Sequence, residues 1–187
     1  DLKYTLVFGV RAGRAAAEYA MKTSLIEPDP IQVKEKRDYL DSILSRPKTS
    51  DGNPRSLRQA IQELSMDKFG VLKTEQGLKE GLEQLNDLRK IADEKLYATD
   101  PRELRLACEV ANMFVCQEMH ARAALLRTET RGPHTRLDYP YMDNDLWIKD
   151  IRIKNVGGEM KLYTVPTRRG YVKIPPGKIP IKGLRQP

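Results

Sequence analysis

The chain has 187 residues and 21.4 kDa, with 33 Lys+Arg against 26 Asp+Glu, a formal charge of +7 and a pI near 9.4. A mean hydropathy of −0.59 and the lack of a ~20-residue apolar run exclude a membrane-spanning helix, and two cysteines exclude a disulfide scaffold. The length suits one domain of roughly 100–200 residues; the opening Asp1-Leu2-Lys3, with no Met and no signal-peptide pattern, raises the expectation of a piece of a longer chain.

Residues 2–22 read as a helix, with apolar or small side chains at Leu2, Leu6, Ala12, Ala15, Ala16, Tyr19 and Ala20. Gly9 and Gly13 interrupt it. A helical glycine costs ~1 kcal/mol relative to Ala, so two on one face point to close approach by another backbone. Without that partner the helix bares an apolar face, and self-association through residues 2–22 is expected. Asp29-Pro30, Asn53-Pro54 and Asp100-Pro101 each place a capping oxygen before a proline suited to the first helical turn. The first starts a helix from Pro30 to Arg46, with Ile31, Tyr39, Leu40, Ile43 and Leu44 as its stripe. The second starts a helix ending near Gly70, with Leu57, Ile61, Leu64 and Met66. Thr74 to Leu96 then carries Leu78, Leu82, Leu85, Leu88, Ala92 and Leu96 at helical spacing. The helix from Pro101 to about Thr130 is the most apolar, and Glu103 falls at a capping-box position. Leu104, Cys108, Ala111, Val115 and Met119 form one face, widened by Leu106, Val110, Met113 and Phe114. That places it at the centre of a bundle. Arg131-Gly132-Pro133 stops it.

After His134 the period changes. Trp147 to Ile153 alternates, Gly157-Gly158 turns, and Met160 to Val165 alternates again, a hairpin signal whose loop could exceed two residues. From Pro166 onward, Pro175-Pro176-Gly177 and Pro180 argue against any regular element and for an extended tail on a surface. The fold class is mainly α: a spectrin-repeat-like bundle of three long helices plus extra helices, then a C-terminal β-hairpin and the tail. Three segments follow: a terminal helix over 1–22, the bundle over 23–140, and hairpin and tail over 141–187. Residues 1–150 hold 24 basic and 25 acidic side chains, whereas 151–187 hold nine basic side chains and one acid, Glu159. A basic tail suits nucleic acid or an acidic surface. Tyr163 and Tyr171 are its only aromatics, so the stacking ladder of a single-strand binder is missing and nucleic acid is disfavoured.

Catalytic constellations are sparse. Cys116 and His120 share a helix face with Cys108 two turns earlier, short of the three or four converging ligands that zinc needs, so no metal is expected. His134 has Asp138 four residues on but no nucleophile beside it. Gly9 to Gly13 lies inside a helix, not at the start of one after a strand, and is no dinucleotide loop. The densest polar cluster is Arg127 to Pro140. It reads either as helix-end caps and intrachain ion pairs or as a corner that docks another domain through bidentate arginines.

Those residues carry a resemblance. Ala121 to Pro140, Ala-Arg-Ala-Ala-Leu-Leu-Arg-Thr-Glu-Thr-Arg-Gly-Pro-His-Thr-Arg-Leu-Asp-Tyr-Pro, resembles the Ala-Leu-x-Arg-x-Glu-Ser-Arg-Gly-x-His-x-Arg-x-Asp-(Tyr/Phe)-Pro motif of succinate dehydrogenase and fumarate reductase flavoprotein subunits. L-Aspartate oxidase carries a related form. Asp143 to Lys149 is similar to the family's Asp-Asp-x-x-Trp-Leu-Lys. Leu57 to Leu88 looks like its capping helices, and Val7 to Gly13 like the Val-Phe-Gly-x-x-Ala-Gly helix that closes its FAD domain.

The resemblance implies a C-terminal part of an enzyme that moves a hydride between FAD and a C4 dicarboxylate, with proton transfer by an upstream arginine. The FAD loop, the flavin-linked histidine and the dicarboxylate-binding residues would all lie upstream. This chain would be non-catalytic and hold no FAD alone. Asp1 and Leu2 fall where the family's Ser-Leu pair touches the flavin, Asp1 departing from Ser. Asp150 stands where many members have His. Residues 1–22 would remain from the FAD-binding domain, with Gly9 and Gly13 giving close helix approach. Arg131, His134, Arg136 and Asp138 would form a docking corner. The implied partners are the upstream FAD-binding domain and an iron–sulfur subunit. The implied location is cytoplasmic, peripheral to the inner face of a membrane through partner subunits, with no direct insertion. The alternatives are an L-aspartate oxidase C-terminal domain and, from another class, a freestanding basic helical interaction or nucleic-acid module.

Overall fold

The computed structural model describes residues 2–167, 170 and 173–183, with side chains described from Thr5 onward. The chain divides into two compact units, 1–39 and 40–187.

The first unit holds α1 (Leu2–Lys22) and the start of α2 (Pro30–Ser45). Asp29 caps α2 through Oδ1, which accepts from the Ile31 amide at 2.9 Å, and Pro30 supplies the preset first turn. Lys34 and Asp38 pair at 2.7 Å one turn apart. On α1, Leu6, Val7, Phe8, Val10, Tyr19 and Met21 are all exposed. A Cβ at Gly9 or Gly13 would meet nothing within 4 Å.

The second unit begins in α2, where Ile43 is fully buried. Its body is a three-helix bundle of α3 (Pro54–Lys68), α4 (Glu75–Lys95) and α5 (Pro101–Leu126). Each helix start has a local cause. Asn53 Oδ1 accepts from Arg55 N, Thr74 Oγ1 from Gly77 N at 3.1 Å, and Asp100 Oδ1 from Arg102 N and Glu103 N at 2.7 and 2.9 Å. Glu103 reaches one residue past the capping-box position: its Oε2 accepts from both the amide and the hydroxyl of Thr99. Leu57, Ile61 and Leu64 on α3, Leu78, Leu85 and Ala92 on α4, and Leu106, Ala107, Val110, Phe114, Ala121 and Ala124 on α5 fill the core. Each fully buried Leu, Ile or Phe contributes about 1.5–3 kcal/mol. Gly81 is required by packing, since a Cβ there would lie 2.5 Å from Phe69 Cε1.

The core face of α5 is rotated from the expected one. Val115 is 49% exposed and Cys108 only partly buried, while Leu106, Val110 and Phe114, expected merely to widen the stripe, are buried in the core. Two adjacent apolar stripes gave the period no way to choose. Met66 is likewise 79% exposed. α5 stops at Leu126, short of Thr130, because Thr130 N donates to Tyr141 O at 2.8 Å in an extended segment.

Short strands fasten the end of the bundle. β1 (Leu72–Lys73) runs parallel to β2 (Thr135–Arg136). β3 (Tyr141–Asp143) pairs antiparallel with β6 (Lys178–Pro180). The second pairing corrects the expectation of a tail without regular structure. Pro180 is the last residue of β6, where its missing N–H costs the pairing little. β4 (Lys149–Val156) and β5 (Glu159–Pro166) form the hairpin, with Val156 opposite Glu159. Its loop is therefore just Gly157-Gly158, at φ of 62° and 88°, the positive-φ pair of a tight hairpin turn.

Candidate functional site

The polar cluster after α5 is two linked ion-pair groups. The first ties two helix ends together. Arg136, 0% exposed, donates from Nη1 to Ala124 O at 2.8 Å, Leu125 O at 3.2 Å and Arg127 O at 3.3 Å. Those are the carbonyls that α5 leaves unpaired at its C-terminus, where positive charge is favoured. Its Nε and Nη2 grip Asp138 Oδ1 and Oδ2 at 2.8 and 2.7 Å. Asp138 Oδ2 in turn accepts from Glu75 N at 2.9 Å, at the positive end of α4. Burial works against a charged Asp138, but the Arg136 fork and the Glu75 amide hold its carboxyl below the usual range.

The second group centres on Glu129, also 0% exposed. It accepts from Arg127 Nη1 at 2.6 Å, from Arg131 Nε and Nη2 at 2.8 Å, and from Asp143 N at 2.9 Å. Arg131 Nη2 also reaches Asn144 Oδ1 at 2.7 Å. Arg127 lies over the Trp147 ring and donates to Trp147 O and Lys149 O at 3.3 and 2.7 Å, so it anchors the base of the hairpin. Trp147 Nε1 donates to Thr128 Oγ1 at 2.9 Å.

His134 lies between the groups. Gly132, at φ 56°, turns the chain so that Arg131 and His134 exchange backbone hydrogen bonds. His134 Nε2 sits 3.2 Å from Arg127 O, an acceptor, so the proton is on Nε2. Burial, with Lys73, Arg136 and Arg127 nearby, pushes its pKa down to about 4. The ring is neutral at pH 7. Lys73, in β1, is buried and donates from Nζ to Gly70 O at 2.6 Å and Val71 O at 3.2 Å. Burial, then Arg136, lowers its pKa.

Arg131, His134, Arg136 and Asp138, expected to form one corner, do come together. Their bonding is within the chain: Arg136 is buried, Arg131 and His134 are half-buried, and Asp138 is the exposed member. Gly9 and Gly13 lie on α1 in the first unit. Asp1 lies outside the described residues, as does the side chain of Leu2. Sequence reading missed Lys73 and Asn144. A two-residue parallel bridge leaves no periodic signal, and the Gly70 and Val71 carbonyls that Lys73 meets lie in the turn beyond α3. Among the described residues no three His, Cys, Asp or Glu side chains converge as metal ligands, and no helix is long and apolar enough to cross a membrane.

An FAD pyrophosphate needs free helix N-terminal amides behind a glycine-rich turn. The first amides of α3, α4 and α5 bond instead to Asn53, to Thr74 and Asp138, and to Asp100. These three helix starts therefore offer no free amides to a pyrophosphate.

The three-helix bundle followed by a small hairpin fits the C-terminal helical domain of a flavoprotein. The chain belongs to the family described as "Fumarate reductase flavoprotein C-term", whose profile matches residues 58–179. The succinate dehydrogenase flavoprotein subunit of Coxiella burnetii is 31% identical over 188 residues, covering 96% of this chain and 29% of its own length. The fumarate reductase flavoprotein subunit of Helicobacter pylori is 31% identical over 158 residues, covering 75% of this chain and 22% of its own. Among solved structures, Mycobacterium smegmatis Sdh1 in complex with UQ1 matches at a TM-score of 0.76 and 30% identity, over 90% of this chain and 29% of that one. The chain thus spans under a third of the length of these relatives.

Proposed function

We propose that this chain is the C-terminal helical domain of a longer FAD-dependent enzyme that exchanges a hydride with a C4 dicarboxylate. The family match over residues 58–179 carries this reading. The chemistry belongs to upstream residues, and this part is a buttress. α1 packs on the FAD-binding domain, with Gly9 and Gly13 admitting its backbone and Asp1 and Leu2 next to the flavin. The corner of Arg131, His134, Arg136 and Asp138 docks the iron–sulfur subunit, held in shape by Arg136 and Asp138, which tie α5 to α4. Through that subunit the protein sits at a membrane surface.

The test is expression of the whole protein beside the 187-residue chain. The whole protein should purify with one flavin, oxidise succinate or reduce fumarate, and prefer both to L-aspartate. The chain alone should be colourless. A stoichiometric yellow chain, or a whole protein inert toward dicarboxylates, overturns the reading.

A further inference from the structure

We infer that the crevice between α4 and α5 at Arg89 and Arg122 binds a small monocarboxylate with a hydrocarbon tail. Two arginines there share one carboxylate. Arg89 Nη1, on α4, donates to Glu118 Oε2 at 2.8 Å, and Arg122 Nη1, on α5, donates to Glu118 Oε1 at 3.0 Å. All three side chains are partly shielded from solvent. Burial works against a charged Glu118, but the two arginines hold its carboxyl below the usual range, so it is ionised at neutral pH. One carboxylate between two guanidinium groups leaves an excess of positive charge. Each guanidinium presents its N–H donors in a planar fork, and the described bonds use only Nη1 of each. Arg89 Cζ also lies 5.7 Å from the centroid of the buried Phe114 ring, which steadies its plane.

Neighbouring acids do not remove the excess. Among the described residues, Glu118 is the only carboxylate lining either this cavity, of about 320 Å³, or the adjoining one of about 420 Å³, where Lys154 joins Arg89 and Glu118. Asp87 lines the groove between α4 and α3 instead and pairs with Lys90 at 2.8 Å. Leu82, Leu85 and Leu125 give the cavity an apolar wall. Forked donors beside an apolar wall suit a carboxylate head and a hydrocarbon tail, and the volume suits a small ligand. A dicarboxylate or a phosphate fits less well, because Glu118 repels a second negative charge and the leucines give it no partner.

The inference does not rest on the hydride-transfer reading, and it is tested on the 187-residue chain with octanoate. Binding should saturate, with amide shifts concentrated at Asn86, Arg89, Glu118 and Arg122. Octanol has the same tail without the charge, and succinate has two charges without the tail; each should bind about tenfold more weakly or worse. Arg122→Gln should weaken octanoate about tenfold. Arg105→Gln makes the same change in charge at an exposed position about 25 Å away along α5 and should leave binding within about twofold. Glu118→Gln should tighten binding about threefold, because the carboxylate that competes for both arginines is gone. Octanol binding as tightly as octanoate overturns the proposal, as does equal weakening by Arg105→Gln and Arg122→Gln. Weaker binding by Glu118→Gln, shifts along the exposed apolar face of α1 instead, or no saturable binding also overturns it.

Discussion

At the scale of residues, buried charge dominates this protein. Arg136 serves three α5 carbonyls and both oxygens of Asp138 without solvent access. Arg136→Met removes the fork, leaves Asp138 unpaired and uncaps α5. Breaking a buried pair in this way costs about 3–5 kcal/mol. Arg136→Lys keeps the charge but not the planar geometry, so urea unfolding should place it between the wild type and Arg136→Met. Recovery of full stability by lysine would show that charge alone is needed. His134 makes the corner acid-sensitive. Its pKa is about 4 in the folded chain against 6.5 for the free side chain, so the unfolded state binds the proton first as pH falls. Its contribution is complete above pH 6.5 and declines as pH drops toward about 4, by roughly 2 kcal/mol after allowing for solvent that still reaches the ring. His134→Gln should flatten the stability profile in that window. Asp138, held low by Arg136, keeps its contribution there and loses it only in stronger acid.

Among the elements, legibility followed local chemistry. Asn53-Pro54 and Asp100-Pro101 fix their helix starts because cap oxygen, proline and first amides are neighbours in sequence. The hairpin was readable because alternation and a Gly-Gly turn are equally local. The Arg131–Asp138 cluster was visible as composition, but its inward bonding was not, since Glu75, Ala124 and Asn144 join it from distant positions. The core face of α5 was ambiguous because Val115 and Phe114 are equally apolar and only α3 and α4 decide between them. β6 escaped because its pairing depends on Asn144, whose amide and side chain bond Gly177 O and Pro175 O. Gly81 shows the same limit. A glycine inside a helix costs about 1 kcal/mol relative to Ala, yet here the Phe69 ring occupies the place of a Cβ. Gly81→Ala should therefore destabilise by about 1–3 kcal/mol in thermal unfolding, despite the better helix propensity of alanine. A gain in midpoint would mean that Phe69 moves aside freely.

Over the whole molecule, the contrast is between a second unit closed on its own core and a first unit open to solvent. On α1, Leu6, Gly9, Val10 and Gly13 share one face at helical spacing, with Leu6 71% and Val10 55% exposed. Nothing lies within 4 Å of a Cβ built at either glycine. In this chain Gly9→Ala should thus stabilise α1 by roughly 1 kcal/mol, seen as higher helicity by circular dichroism. In the whole protein the same change should reduce flavin retention if a backbone packs against that face. Left uncovered, the face should pair with another copy. Sedimentation of the 187-residue chain should show a weight-average mass that rises with concentration, and Leu6→Asp should return it to the monomer. Apolar association of this kind holds or strengthens as salt rises, particularly with sulfate. A monomer at every concentration in both low and high salt would show that the α1 face does not bind itself.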